Sequence, residues 1–168
     1  MRTRLLHLFV AAVWMTSSLV ITAAPSPSEP RTPRTPAHVQ AFNRGTEHLL
    51  AMELGRAERQ LRQALRRQEA FAEAHNNLAF VLRKQGEGHF AEALQHYNRA
   101  IEINAELAEA YMYRGVLYVQ MGDTASAEAD LETLESLSPS LAAELRWVIE
   151  HGHEKEPEHF FGVVQKVQ

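Results

Sequence analysis

Apolar and small side chains recur every three or four positions through most of residues 37–151, which predicts a succession of amphipathic helices. The pattern divides into three pairs of helices, predicted over 37–52 with 56–68, 69–85 with 90–103, and 107–121 with 124–137. A glycine falls at the break within each pair, where it adopts left-handed backbone angles without strain. These glycines are Gly55, Gly86 and Gly122. Ser138 and Pro139 then predict the cap and first turn of one further helix, which ends near Gly152.

The second and third pairs of helices repeat one another in sequence. Ala72-Glu73-Ala74 lies in the first helix of one pair, and Ala108-Glu109-Ala110 takes the same place in the next, 36 residues later. Self-similarity at a period near 34 residues is typical of stacked helical hairpins, each of which buries its apolar face against the next. The sequence therefore predicts an array of hairpins and a binding function before it suggests any chemistry.

The array resembles the tetratricopeptide repeat family over residues 37–137. That family places one small residue in the first helix and two in the second, with a large apolar residue between those two. The matching residues are Gly45, Ala57, Leu61 and Ala64, then Ala79, Ala93, Tyr97 and Ala100, then Gly115, Ala127 and Leu131. Small side chains let two helices cross within about 8–10 Å, and the large one fills the adjoining hole. The first pair departs most from the pattern, and Leu134 replaces the last small residue of the third.

The resemblance implies an all-α fold, a right-handed superhelical array of about three tetratricopeptide hairpins with a C-terminal capping helix. The implied boundaries are 37–70, 71–106 and 107–137 for the hairpins, 138–151 for the cap and 152–168 for a tail containing histidine and glutamate. Such arrays hold a peptide or a partner helix in a concave groove lined by the first helix of each hairpin. The lining carried over to this chain is Phe42, Thr46, Leu49, Asn76, Phe80, Arg83, Lys84, Met112, Val116 and Val119.

The expected partner is a protein or peptide that is apolar or amphipathic and carries some negative charge. Apolar side chains dominate the lining, and Arg83 and Lys84 add positive charge at one side. Asn77 matches one asparagine of the subtype that clamps chaperone tails, but Phe42, Glu109 and Tyr113 replace its basic residues, which argues against a C-terminal carboxylate ligand. A second hypothesis is that residues 160–164, which are Phe-Phe-Gly-Val-Val, fold back into the same groove.

The N-terminus carries the pattern of an export signal. Arg2 and Arg4 precede a nearly unbroken apolar run over residues 5–24. An apolar helix of that length spans about 30 Å, so cleaved signal peptide and uncleaved anchor are both open. The body is then exported, either periplasmic or secreted, with anchoring to an inner membrane as the alternative. The proline-rich residues 25–36 are interpreted as a semi-rigid linker.

Composition narrows the function further. The net charge of −4 provides no electrostatic footprint for nucleic acid, and the absence of cysteine excludes disulfides and thiol chemistry. No nucleotide-binding or nucleophile motif is present, so we predict neither an enzyme nor a cofactor. Arg59, Arg62 and Arg66 form a basic stripe, interpreted as a solvated face, with self-association or contact with an anionic surface as alternatives.

A metal-binding envelope protein is the alternative function. Its candidate ligands lie in the tail and are His151, His153, Glu154 and His159. Gly152 weakens the hypothesis because it loosens the loop that would hold them. His48 and His75 instead fall on the packing side of their predicted helices, which favours interior histidines with hydrogen-bond partners.

Overall fold

The computed structural model describes residues 35–155, which form seven α-helices and one short 3-10 turn. The helices are α1 (Ala37–Leu50), α2 (Leu54–Arg67), α3 (Ala72–Lys84), α4 (Phe90–Ile103), α5 (Ala108–Gln120), α6 (Thr124–Leu137) and α7 (Pro139–His151). No β-strand occurs in this range, so the predicted all-α class is confirmed. Within it, no helix is long and apolar enough to cross a bilayer. The predicted signal or anchor, residues 5–24, lies outside the described residues.

The helices pack as three hairpins followed by a cap. α1 packs against α2, α3 against α4, and α5 against α6, while α2 contacts α3 and α4 contacts α5. α7 packs against both α5 and α6. A large cluster of apolar side chains runs from Ala41 in α1 to Val148 in α7, and a smaller one joins Ala72, Ala100, Leu107 and Ala110. The arrangement follows from amphipathic helices that each bury one stripe against the next element.

The turns inside the hairpins follow the prediction in two cases and differ in the first. Gly86 and Gly122 have φ angles of 111° and 78°, which glycine tolerates and other residues rarely adopt. The first turn instead bends at Met52, whose φ is 56°, and Gly55 lies inside α2. His48 Nδ1 lies 2.6 Å from a Glu53 carboxylate oxygen and bridges this turn. The prediction of a break at Gly55 was therefore wrong, because local side-chain contacts hold a non-glycine residue in the left-handed region.

The helix caps also follow the prediction in one case and differ from it in another. The Asp123 carboxylate accepts a hydrogen bond from the backbone N–H of Ser126 at 3.1 Å and caps α6. Pro139 occupies the first turn of α7 as predicted, but the Ser138 side chain makes no capping hydrogen bond. Its hydroxyl lies 3.2 Å from that of Ser140 instead. Gly152, with a φ of 76°, ends α7 in the left-handed region and redirects the chain.

Close helix approach occurs at Gly45 and Gly115, but against different kinds of neighbour. A Cβ atom added at Gly45 would lie 2.8 Å from Leu61 in the partner helix of the same hairpin. One added at Gly115 would lie 2.5 Å from Leu145 in α7, so the capping helix α7 packs against the third hairpin at this point. Leu131, expected as the large interior residue of this hairpin, is only half-buried, and Leu134 is completely buried instead. The core around α7 therefore accommodates leucine at position 134, where the family pattern has a small residue.

Candidate functional site

The residues predicted to line a groove are mostly buried. The two half-buried members are Lys84 and Val119. The members that are at most 3% exposed are Phe42, Thr46, Leu49, Asn76, Phe80, Arg83, Met112 and Val116. Their binding role stays a prediction, and the structure separates them into a part between α1 and α3 and a part between α3 and α5.

The part between α1 and α3 joins two hairpins. The Asn77 side-chain amide donates a hydrogen bond to the Thr46 hydroxyl at 3.0 Å, and the Asn76 amide donates to Asn77 at 3.1 Å. The Phe42 ring lies 5.0 Å from the ring of Phe71, which precedes α3. Buried polar groups need such partners, and these hydrogen bonds set the register of α1 on α3.

The part between α3 and α5 is centred on Arg83. The side chain of Arg83 is completely buried, near the C-terminal end of α3. Its guanidinium carbon lies 5.2 Å from the centre of the Phe80 ring and 5.0 Å from that of Tyr113, and the two rings are 4.8 Å apart. Such faces attract a cation through the ring quadrupole. We call Phe80, Arg83 and Tyr113 the arginine site.

The arginine site holds a carboxylate. Arg83 donates from Nη1 to Glu154 Oε2 at 2.8 Å and from Nη2 to Oε1 at 3.1 Å, and Lys84 Nζ lies 3.9 Å from the same carboxylate. Two parallel hydrogen bonds are the geometry in which arginine recognises a carboxylate best. Burial alone would raise the pKa of Glu154, but the charge and hydrogen bonds of Arg83 outweigh it and hold that pKa below its ordinary value.

No signal in the sequence indicates this contact. Arg83 and Glu154 are 71 residues apart, and Glu154 was considered a candidate metal ligand from the sequence.

Tyr97 is buried beside the arginine site, where burial raises the pKa of its phenol and keeps it neutral. The Nε atom of Arg83 has no hydrogen-bond partner among the described residues. The guanidinium thus retains a donor after binding Glu154.

A second polar cluster lies between α3 and α4. His75 Nδ1 and His96 Nδ1 are 2.8 Å apart, and His75 Nε2 lies 3.0 Å from the backbone carbonyl of Glu69. Burial lowers both pKa values, that of His96 to about 4, so both rings are neutral near pH 7. They adjoin an open cleft of about 410 Å³, lined by Arg62, Leu65, Arg66, Glu69, His75, Leu78 and His96. His75 is therefore an interior histidine with partners, as predicted.

The predicted basic stripe is divided by ion pairs. Arg62 donates to Glu58 and to Glu92, at 2.8 Å in each case, while Arg59 and Arg66 are exposed. The pair with Glu92 connects α2 of the first hairpin to α4 of the second. Arg62 thus contributes to packing, and only its neighbours fit the interpretation of a solvated face.

Comparison with known proteins agrees with this architecture. Residues 87–122 match a family model described as "TPR repeat", and residues 108–141 match one described as "Tetratricopeptide repeat". The chain contains tetratricopeptide repeats. The first match covers the 3-10 turn at Glu87–His89 with α4 and α5, and the second covers α5, α6 and the start of α7. Proteins built from this repeat generally serve as non-catalytic protein-interaction modules.

A solved structure supports the fold. The "Arabidopsis OM64 TPR domain" is similar over 70% of this chain and 97% of its own length, with a TM-score of 0.63 and 19% sequence identity. At that identity the similarity concerns the fold alone. No curated protein matches the chain.

The tail histidines of this repeat protein do not converge on a metal site in the described residues. His151 Nδ1 lies 2.8 Å from the Trp147 carbonyl, and His153 Nδ1 lies 2.9 Å from the His151 carbonyl. Glu154 binds Arg83, and His159 lies outside the described range. Within residues 35–155, no three potential ligands come together around one point.

Proposed function

We propose that this protein is an exported tetratricopeptide adaptor that binds an acidic and apolar peptide or partner helix at the surface of α1, α3 and α5. The arginine site is the observation that supports this proposal. It holds a carboxylate in a bidentate geometry, and that carboxylate comes from outside the three hairpins. A ligand that reaches this surface meets a recognition element for negative charge.

The chemistry of the site defines the ligand. A buried guanidinium is costly unless a carboxylate faces it, because its charge has lost the surrounding water. A ligand that takes the place of Glu154 therefore has to supply an aspartate, a glutamate or another carboxylate. Met112 and Val116 follow on α5 and are apolar, so a ligand that reaches them has to supply apolar side chains as well. Both requirements suit a short amphipathic segment.

Export rests on the N-terminal pattern of the sequence. Residues 1–24 have the charge and hydropathy of a signal or an anchor, and the chain has no cysteine that an oxidising compartment would modify. Fractionation of the source cells with protease protection tests this point. Protein found only inside the cytoplasm contradicts export and leaves the binding proposal untouched.

Selection of peptides on the full chain tests the binding proposal. A library of random dodecapeptides is selected against the immobilised protein, and the enriched peptides are synthesised. We expect an aspartate or glutamate next to aromatic or aliphatic residues. Replacing that acid by its amide should weaken binding about tenfold or more, since hydrogen bonds to a charged group contribute about 1.5–3 kcal/mol.

Two variants show where the peptides bind. Val119→Glu places a negative charge at the half-buried edge of the surface and should weaken binding of the acidic peptides. Glu128→Lys lies on the exposed face of α6 and should leave binding unchanged. Enrichment without acidic residues, or equal loss with both variants, contradicts the proposed site.

A further inference from the structure

Tyr97 lies in the middle of α4 and is completely buried. It takes the large position between Ala93 and Ala100, where the repeat pattern has an apolar side chain. The corresponding residues of the other two hairpins are Leu61 and Leu131, which carry no polar side-chain atom. A phenylalanine ring would fill nearly the same space, so the packing of the hairpin does not account for the Tyr97 hydroxyl.

The hydroxyl of Tyr97 has no hydrogen-bond partner among the described residues, and neither has Nε of Arg83. The two groups are neighbours, because burial raises the pKa of the Tyr97 phenol and the nearby charge of Arg83 opposes that rise. The phenol keeps its proton, so both groups can donate a hydrogen bond. Buried donors without an acceptor are rare and costly, since they have lost their hydrogen bonds to water. Two of them side by side indicate a place for an acceptor.

Glu154 does not serve these two donors. Its carboxylate accepts one N–H from Nη1 and one from Nη2 of Arg83, which together form the end of the guanidinium fork. A second edge of the guanidinium consists of Nε and one Nη, and it also presents two N–H groups to an acceptor. In Arg83 the Nε end of that edge has no partner among residues 35–155. The carboxylate of Glu154 thus leaves part of the site unused.

We propose that Tyr97 is a recognition residue of the ligand site, and that the ligand carboxylate which displaces Glu154 accepts hydrogen bonds from both the Tyr97 hydroxyl and Arg83 Nε. This inference rests on the proposed function, because it names a further residue that binds the same ligand. Glu154 is tethered to the chain and therefore competes at an effective concentration of the order of millimolar. The additional hydrogen bonds to its charge let an external carboxylate overcome that advantage.

The place of Glu154 connects the arginine site with solvent. The Arg83 side chain is completely buried, whereas the Glu154 side chain is 20% exposed. Gly152 ends α7 in the left-handed region two residues before Glu154. Release of the carboxylate therefore does not require any turn of α7 to unwind, and an aspartate or glutamate of the ligand can approach the guanidinium from the same side.

Acetate is a probe of this site in the full-length protein that needs no partner. Glu154→Ala removes the resident carboxylate, and sodium acetate should then raise the melting temperature relative to sodium chloride of equal ionic strength. The parent chain gives the general effect of the salt, and Glu154→Ala should gain more. Adding Tyr97→Phe removes one hydroxyl and keeps the ring. It should raise the acetate concentration needed for half of the extra stabilisation about tenfold, as expected for one hydrogen bond to a charged group.

Tyr118→Phe is the matched control, since Tyr118 lies over Arg114, the other paired arginine, at 5.9 Å. It should leave the acetate response of Glu154→Ala unchanged. Tyr97→Phe by itself should not lower the stability of the parent chain, and a clear loss would assign the hydroxyl to packing and overturn the inference. The inference is also overturned if Tyr97→Phe leaves the acetate response unchanged, or if Glu154→Ala gains no more from acetate than the parent chain does.

The selected peptides distinguish this inference from the proposed function. Acidic peptides that bind the parent chain should bind Tyr97→Phe about tenfold more weakly. Equal binding overturns the role of Tyr97 and leaves the proposed function in place. Failure of the selection contradicts the proposed function, and the acetate response then still decides the role of Tyr97. The peptide measurement needs no change at Glu154, so it decides the same point if Glu154→Ala does not fold.

Discussion

Two arginines, Arg114 and Arg83, bind carboxylates in similar surroundings but at different distances along the chain. Each donates two hydrogen bonds to one carboxylate, to Asp130 at 2.6 and 3.0 Å and to Glu154 at 2.8 and 3.1 Å. Each also lies over two aromatic rings. Asp130 belongs to the same hairpin as Arg114, 16 residues away, whereas Glu154 lies 71 residues from Arg83 and beyond the last helix.

The difference separates a packing contact from a contact that can open. The Arg114 pair forms as soon as α5 meets α6, and Arg114 also donates to Asn98 in α4 at 2.8 Å. It cannot open without separating helices. The Arg83 pair needs only a short segment beyond α7, so it can open while every hairpin stays folded. The Arg114 pair thus belongs to the packing of the repeats, whereas the Arg83 pair lies at the surface of α3.

Asp130→Ala should produce the largest effect. It leaves the Arg114 charge without its main partner inside a fixed interface, which typically costs about 3–5 kcal/mol. Burial would lower the pKa of Arg114, but the hydrogen bond and charge of Asp130 outweigh it and raise that pKa, so removing Asp130 leaves a desolvated positive charge without compensation. Urea unfolding measures the loss. The control, Glu128→Ala on the exposed face of α6, should change stability by less than about 0.5 kcal/mol.

A smaller loss for Asp130→Ala, within the range of the control, would show that α5 and α6 can also part to admit water. The two arginine pairs would then be alike, and the distinction drawn between them would fail.

Gly115→Leu should have an intermediate effect on stability. Even a Cβ atom at this position would lie 2.5 Å from the Leu145 side chain, so that side chain or the whole of α7 has to shift. Overpacking of this kind costs about 1–3 kcal/mol, measured as a lower melting temperature. Glu132→Leu, on an exposed face of α6, should leave the melting temperature unchanged. Equal effects of the two substitutions would contradict the helix register.

Glu154→Gln should have the smallest effect on stability, about 1–2 kcal/mol, because water can reach Arg83 once the segment leaves. The pKa of Glu154 is lowered in the folded protein, so its contribution is present above the ordinary pKa of a glutamate. It is lost as the pH falls through the lowered value. The difference between wild type and variant should therefore shrink below about pH 4.5, measured by urea unfolding.

Glu150→Gln, an exposed residue of α7, serves as the matched control and should change stability by less than about 0.5 kcal/mol. A loss for Glu154→Gln as large as that for Asp130→Ala would identify the Arg83 pair as part of the packing and argue against a contact that can open.

Local pattern determined most of the repeat architecture. The sequence predicted the small residues at positions 45, 79 and 115 and the glycine breaks at 86 and 122. Each of them acts within one hairpin or between neighbouring elements. The same holds for the interior position of His75. These features depend on residues a few turns apart, where the helical period alone decides which side chains meet.

The tertiary structure decided the contacts that join distant parts of the chain. Sequence could not show that Leu145 packs at Gly115, that Leu134 replaces Leu131 in the core, or that Glu154 binds Arg83. It could not show that eight groove candidates are buried either, because burial depends on everything that packs above a surface. The physical reason is that a helix specifies its own faces, whereas the occupant of each face is chosen by folding of the whole chain.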